Sequence, residues 1–372
     1  MNDLSKISVV LPSLDPDEKL HAVIEGLLKY GFTDIILVND GSKTENLHYF
    51  EEEAAAHPGI IHLLHHEVNK GKGAALKNAF RYFLANRPDG AGVVTVDGDN
   101  QHHPEDTLRC CEKMLETGNM VLGCRDFTLE HVPARSRFGN RTTSAIFKLF
   151  VGMTLSDTQT GLRAIPRDDL ALLATVKGDR FEYETNMLLA MKSHGIPFHE
   201  VKIRTVYIEE NKSSHFHPIR DSWRIYKLIL AHFFRYTLSS LTSASVDTGV
   251  YTLLGWMLRG LLNGLTLTAA AGIGARVVSS LLNFYLNKKI VFESTVSTSK
   301  AMLRYYMLAL PQMAAQVLLT QGVYLMLGIP DSATGLRTLL YAVVMTVLYV
   351  ASFMIQQRWV FAADKKEKEK VS

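Results

Sequence analysis

Ala91-Gly92-Val93-Val94-Thr95-Val96, running straight into Asp97-Gly98-Asp99-Asn100-Gln101-His102, is the stretch on which the fold turns. Six apolar or β-branched residues bounded by Pro88-Asp89-Gly90 predict a short buried strand. Asp97 and Asp99 then fall at its C-terminal tip, where open α/β sheets place ligands. Two carboxylates and an amide oxygen at alternate positions, Asp97, Asp99 and Gln101, offer hard ligands to Mg²⁺ or Mn²⁺, which in turn can hold a diphosphate. Asp, Gly and Asn also dominate plain turns. Two acids in three residues repel each other unless a cation is near, which favours a metal site.

Outward from this point, Ile7-Ser8-Val9-Val10-Leu11 predicts a first strand running into Pro12-Ser13-Leu14-Asp15-Pro16-Asp17-Glu18, which caps a helix through Glu25 and beyond. Asp34-Ile35-Ile36-Leu37-Val38 predicts a second strand and delivers Asn39-Asp40-Gly41-Ser42. Both loops open on one edge of a parallel sheet. Asp40 can accept from a ribose hydroxyl or a base N–H, although a type I turn uses the same letters. Asn69-Lys70-Gly71-Lys72-Gly73 opens a helix whose N-terminus favours anions, with Lys72 as a point charge for a phosphate; the P-loop spacing is absent. Arg125, Arg135, Arg137 and Arg141 follow the strand Met120-Val121-Leu122-Gly123-Cys124, and Arg163 closes Asp157-Thr158-Gln159-Thr160-Gly161-Leu162-Arg163. Arginines suit bidentate phosphate recognition, and for any one of them a solvated charged face is the alternative. Phe181-Glu182-Tyr183-Glu184 reads as a helix start whose acids suit the dipole, with no chemistry assigned.

The 372-residue chain changes character near residue 230: charge, Gly and short strands give way to apolar sequence. Cys110, Cys111 and Cys124 form no CxxC pair, so reduced thiols in the cytosol are expected rather than a disulfide framework or a zinc site. The first residues lack the apolar core of a signal peptide, and a net charge of +3 gives no case for nucleic acid. Four stretches, 236–258, 261–286, 303–327 and 334–356, are long enough to span a bilayer of ~20 residues per crossing. Lys288, Lys289, Lys300 and Arg304 fill the second connection and Lys365, Lys366, Lys368 and Lys370 the tail, against Arg259 and Arg337 in the other two. The positive-inside rule then puts the first domain, the middle loop and the tail in the cytoplasm, with both termini inside. Lys212-Ser213-Ser214-His215-Phe216-His217-Pro218 leads into residues 219–230, where apolar and basic residues alternate as in an interfacial amphipathic helix; packing against the first domain needs a similar pattern.

The apolar half repeats itself. Phe284-Tyr285-Leu286-Asn287-Lys288-Lys289-Ile290-Val291-Phe292 matches Phe353-Met354-Ile355-Gln356-Gln357-Arg358-Trp359-Val360-Phe361 at an offset of 69 residues, which also carries Arg235-Tyr236 onto Arg304-Tyr305. Two copies of one helical hairpin explain the shared spacing; convergent interfacial anchors are the alternative. Asp247 and Arg276 lie inside the first hairpin, each 12 residues from its cytoplasmic end and so about 18 Å deep, and can pair. Such a pair is functional or a structural clasp. Its repeat mates are Gln316 and Met345.

Residues 6–230 resemble a family 2 glycosyltransferase of the polyprenyl-phosphate type, the group of dolichyl-phosphate mannose synthases and bactoprenol glucosyltransferases. The likeness rests on the Pro-containing first loop, Val38 to Ser42, Asn69 to Gly73, Asp97 to His102, Gly123-Cys124-Arg125 and Asp157 to Arg163, in that order. It implies an α/β fold of GT-A type, a Rossmann-like mostly parallel sheet. It implies Mg²⁺ or Mn²⁺ held by Asp97, Asp99 and Gln101 against a nucleotide sugar, with Pro12, Leu14, Asp15, Asp17, Asp40, Gly41, Ser42, Lys72, Gly73 and Gly98 around the donor. Arg125, Arg163 and Asp157 fall near the reacting centre, and Arg135, Arg137, Ser214 and His215 at the phosphate of a polyprenyl (undecaprenyl) acceptor. Where that family usually carries Asn-Glu in the first loop, Leu14-Asp15-Pro16-Asp17 stands here, leaving open whether Asp15 or Asp17 touches the base. Residues 231–363 are similar to a GtrA-like four-helix membrane domain, on Ala275-Arg276, Ser279, Asn283-Phe284 and Asn287 to Phe292, with 364–372 as a charged tail.

The implied reaction is attack of a polyprenyl monophosphate oxygen on the anomeric carbon, with inversion, supplying lipid-linked sugar for cell-envelope glycosylation. A processive polysaccharide synthase is a rival, because Gln356-Gln357-Arg358-Trp359 approaches its Q-x-x-R-W signature; the Gln belongs at 355, which is Ile. A transporter or scaffold that only binds nucleotide sugar is another, and the intact acid set argues against it. The sequence leaves a homo-oligomer open.

Overall fold

The computed structural model describes residues 3–130, 132–205, 218–330 and 332–362, with backbone alone at 135, 218–222, 224 and 232. It divides into two compact units, 1–229 and 230–372.

In the first unit seven strands make one sheet: β1 (Ile7–Ser13), β2 (Ile35–Asn39), β3 (Ile61–His65), β4 (Gly92–Thr95), β5 (Met120–Arg125), β6 (Arg163–Pro166) and β7 (Phe198–Ile203). The spatial order is β3-β2-β1-β4-β6-β5-β7. All pairings are parallel except those of β6, which runs antiparallel between β4 and β5. Unbroken apolar runs such as Ile35 to Val38 are the mark of parallel strands covered on both faces. Successive residues serve opposite layers. Val10, Ile36, Val38 and Leu122 pack with α3 (Lys72–Asn86), α6 (Arg167–Leu173) and α7 (Glu182–His194), while Val9, Leu11, Ile35 and Val121 pack with α1 (Lys19–Lys29) and α4 (Pro104–Thr117). The remaining helices here are α2 (Leu47–Ala56) and α5 (Ala134–Ile146).

The strands expected from the sequence stand within a residue or two of their places. β3, β6 and β7 had no such signal: β3 carries His62 and His65 within its five residues, β6 is four residues opened by Arg and closed by Pro, and β7 alternates along a half-exposed edge. The three cysteines are buried, and burial pushes the Cys110 thiol up to about 12 and the other two up as well, so none is a reactive thiolate.

The chain leaves the first unit in α8 (Pro218–Leu258), one continuous helix of 41 residues. The expected interfacial helix and first membrane helix are therefore not separate, for no Gly or Pro stands between residues 219 and 248 to divide them. Ile225, Tyr226 and Ile229 pack into the core of the first unit, so this apolar face answers to protein; Trp223 stays 68% exposed.

With α9 (Gly264–Leu286), α10 (Thr298–Met326) and α11 (Thr334–Ile355), four helices reach into the second unit among the described residues. Two, Gly264–Val291 and Thr334–Val360, are long and apolar enough to cross a membrane. The other two carry more polar residues, α10 including Pro311, Gln312 and Gln316. The 69-residue offset is present in the backbone too. α9 and α11 each end in a π-helical turn, Asn287–Val291 and Gln356–Val360, and the phenylalanines that follow, Phe292 and Phe361, stack at 5.2 Å. Arg235 meets Glu293 at 3.1 Å; its repeat mate Arg304 donates to the carbonyl of Ala362, the mate of Glu293, at 3.4 Å. At the centre the mates Asn287 and Gln356 bond each other at 3.0 Å, and Asn287 also accepts from Ser239 at 2.7 Å. Asn287→Ala strands these buried partners and is expected to cost about 1–2 kcal/mol, read as a lower melting temperature of the full chain in detergent; unchanged melting would remove the network as a clasp.

Candidate active site

The parallel strands β1, β2 and β4 end on one edge, and their loops interlock there. Both oxygens of buried Asp40 are in use: Oδ1 faces His66 Nδ1 at 2.7 Å and accepts from Lys70 N–H, while Oδ2 accepts from Gly71 N–H at 2.7 Å. Asp40 thus holds the Gly-Lys loop at the sheet edge. Gly41 lies at φ +75° with a Cβ position 2.2 Å from the Val68 backbone, and Gly71 at φ +101°, so both need glycine. Asp15, itself at φ +47°, accepts from Lys43 N–H at 2.8 Å and donates its own N–H to Ser42 Oγ. Asp17 instead accepts from Lys19 N–H at 3.0 Å, at the first residue of α1. Of the two acids left open by the sequence, Asp15 belongs to the Ser42 loop and Asp17 to a helix.

Asp97 leaves β4 beside Gly161, whose Cβ position is 2.2 Å from Asp97 Oδ2; only glycine lets the carboxylate stand there. Lys72 Nζ lies 2.7 Å from Asp97 Oδ1 and 2.9 Å from Glu184 Oε1, and His102 Nε2 lies 3.4 Å from Asp97 Oδ2. Asp99 accepts from Gln101 N–H at 3.1 Å, and Asn100 between them adopts φ +61°. Burial opposes charge on Asp97, but Lys72 and His102 outweigh it and hold the carboxyl well below the usual range. Asp99 goes the other way, raised by burial and then by the charge on Asp97. Lys72 is held above its ordinary range because Asp97 and Glu184 outweigh its burial.

On the far side of the same segment, Asp157 is fully buried and clamps Arg125 at the end of β5: Nε donates at 2.7 Å and Nη2 at 3.2 Å. Residues 157–163 thus run between the two acidic and basic centres. Gly161 packs on Asp97, and Asp157 holds Arg125. Arg125, Arg137, Arg141 and Lys202 line one cavity of about 640 Å³ with Asn140, Ser156 and two acids, Asp126 and Glu200, so cations outnumber acids there by four to two. Such a set of cations suits a phosphate. Arg163 is not among them. It is 1% exposed and bonds the carbonyls of Thr160 and Glu184, a strut rather than a ligand-facing group. Ser214 and His215 lie outside the described residues, as does the side chain of Arg135. Glu184, His66 and Lys202 were not singled out from the sequence, and His102 only as the end of the opening motif; Glu184 carried only a helix-dipole signal, and His66 follows the unforeseen β3.

In the second unit Arg276 Nη2 approaches Asp247 Oδ2 at 3.6 Å, and Ser279 Oγ donates to Asp247 Oδ1 at 2.6 Å. The pair lines a cavity of about 360 Å³ together with Asn283, Tyr305 and Tyr306. Gln356 is committed to Asn287, Tyr236 and Ser352, which gives the Gln-Gln-Arg-Trp stretch a packing role rather than that of a synthase signature.

Residues 8–170 match the model of glycosyl transferase family 2, and residues 235–361 that of the GtrA/DPMS transmembrane domain. An uncharacterized protein of Methanocaldococcus jannaschii is 30% identical over 63% of this chain and 96% of its own length. The UDP-N-acetylglucosamine–dolichyl-phosphate N-acetylglucosaminyltransferase of Methanococcus voltae is 27% identical over 55% of this chain and 86% of its own. The undecaprenyl-phosphate mannosyltransferase of Micrococcus luteus is 25% identical over 56% and 86%. The mixed, mostly parallel sheet is a GT-A fold, and the chain belongs to the family 2 glycosyltransferases, an enzyme with a GtrA/DPMS transmembrane domain at its C-terminal side.

Proposed function

We propose that the enzyme transfers a sugar from a UDP- or GDP-linked donor to a polyprenyl phosphate, with inversion at the anomeric carbon, at the cytoplasmic face of the membrane. The observation that carries this reading is the pairing of two centres on one segment: Asp97 and Asp99 for a donor diphosphate, and the Arg125, Arg137 and Arg141 cavity for a second phosphate. Relatives of the first unit named for dolichyl- and undecaprenyl-phosphate substrates support it.

The donor set fits a divalent cation. Two carboxylates stand two residues apart, and Asp99 resists ionisation beside Asp97, a penalty that a cation relieves. No group of three or more acidic, His or Cys side chains able to hold a metal occurs among the described residues, so Mg²⁺ or Mn²⁺ here would be bound through one or two carboxylates plus substrate phosphates. Asp97 and Asp99 would hold the ion with Gln101, and its contribution is to neutralise charge on the departing diphosphate.

The chain's own residues do the rest. Asp15 and Ser42 receive the nucleoside, Lys72 faces its phosphates, and Arg125 with Arg137 orients the acceptor. An acceptor that is already an anion needs no strong general base, so Asp157 serves by fixing the Arg125 fork rather than by removing a proton. Four membrane passes with both termini in the cytoplasm complete the reading. Purified full-length chain, given undecaprenyl phosphate and each UDP- or GDP-sugar with Mg²⁺ or Mn²⁺, is expected to yield a lipid-phosphate sugar by mass spectrometry; no glycolipid from any donor overturns it.

A further inference from the structure

Lys72 stands where a cation is wanted. Its position is fixed from three sides: Asp40 holds the Lys70 and Gly71 amides, Ala74 N–H donates to the Asp179 carbonyl at 2.9 Å, and Gly73 lets α3 approach α7 so closely that a Cβ would lie 2.4 Å from Tyr183 Cβ. Arg163 in turn donates to the Glu184 carbonyl at 3.0 Å, tying the first turn of α7 to the sheet. These contacts present the Glu184 carboxylate to the Lys72 ammonium, which it shares with Asp97.

We propose that Lys72 is the resident counter-ion of Asp97 and competes with the divalent cation for that carboxylate, and that Glu184 is the positioning residue that keeps the ammonium beside the donor once Asp97 is taken up. The inference rests on the reading of Asp97 as a metal ligand. An ammonium and a divalent ion at one carboxylate repel each other, and a nucleoside diphosphate between them removes the repulsion because its oxygens attract both. Cation and nucleotide therefore bind cooperatively, and the free enzyme holds the cation weakly. Glu184 supplies the second carboxylate that stops Lys72 from leaving the site when its first partner changes hands.

The test is Mn²⁺ binding to the full-length chain in detergent, followed by the electron paramagnetic resonance of free Mn²⁺, with and without UDP or GDP. Lys72→Met is expected to bind Mn²⁺ roughly tenfold more tightly than the wild type without nucleotide, the change a coupling of about 1.4 kcal/mol makes, and to lose most of the enhancement by nucleotide. Lys72→Gln must tighten the ion likewise, and Lys72→Arg, which keeps the charge, must not. Glu184→Gln is expected to weaken UDP or GDP binding in the presence of Mn²⁺. If the neutral variants leave Mn²⁺ affinity unchanged or weaker while Asp97→Asn abolishes binding, the competition is wrong and the metal site stands. If Asp97→Asn binds Mn²⁺ like the wild type, the metal reading falls and this inference with it.

Discussion

Asp99→Asn is expected to lower turnover about a hundredfold or more while leaving the fold intact. The side chain sits in the 97–101 loop with Oδ1 on Gln101 N–H, and an amide of the same shape keeps that contact. On the proposed reading what it loses is charge at the point where the diphosphate departs, and one such electrostatic group is worth about 10²–10³ in kcat. Steady-state transfer to undecaprenyl phosphate checks it, and normal activity would refute the metal assignment. The same carboxyl sets a pH dependence. Its raised value means that, without a cation, the folded chain holds the Asp99 proton more tightly than the unfolded chain, so ionisation lowers stability as pH rises through that value. Mn²⁺ reverses the penalty only for the ionised form. The rise in melting temperature that Mn²⁺ produces should therefore be larger at pH 7 than at about pH 4, where an ordinary carboxylate is half-ionised and Asp99 holds its proton longer, and the difference should disappear in Asp99→Asn.

Asp157→Asn is expected to cost about as much in turnover, for a different reason. Asp157 is fully buried and both of its oxygens accept from Arg125, so the variant leaves the guanidinium with half its anchor. Breaking a buried pair in this way costs roughly 3 kcal/mol of stability and lets the fork swing from the cavity it shares with Arg137 and Arg141. Arg125→Lys removes the fork itself and is expected to raise the KM for polyprenyl phosphate. If Asp157 acts through Arg125, the double variant is no worse than the poorer single one; if it acts on substrate directly, the losses multiply.

The loops at the sheet edge were legible because each follows a run that can only be a buried strand. Ile7 to Leu11, Ile35 to Val38 and Gly92 to Val96 carry no polar interruption beyond Ser8 and Thr95, and the acids after them have one place to go. The strut Arg163 was read as a phosphate ligand because a fully buried arginine looks like any other in a motif; its partners are carbonyls brought together by the antiparallel β6. Glu184 was passed over for the converse reason. Its partner Lys72 is more than a hundred residues away, and no local spacing reports the approach of α3 to α7 that Gly73 allows.

The sequence by itself determined the parallel half of the sheet, the apolar second half and its 69-residue repeat, because strand burial, helix length and repetition are written in consecutive residues. Only the tertiary structure decided that Asp40 bonds the Gly71 amide, that Asp157 grips Arg125, that Asn287 meets its own repeat mate, and that Lys72 stands between Asp97 and Glu184. Those are pairings across long stretches of chain, and the charge that wins a carboxylate is the one the fold brings within 3 Å, whatever its distance in sequence.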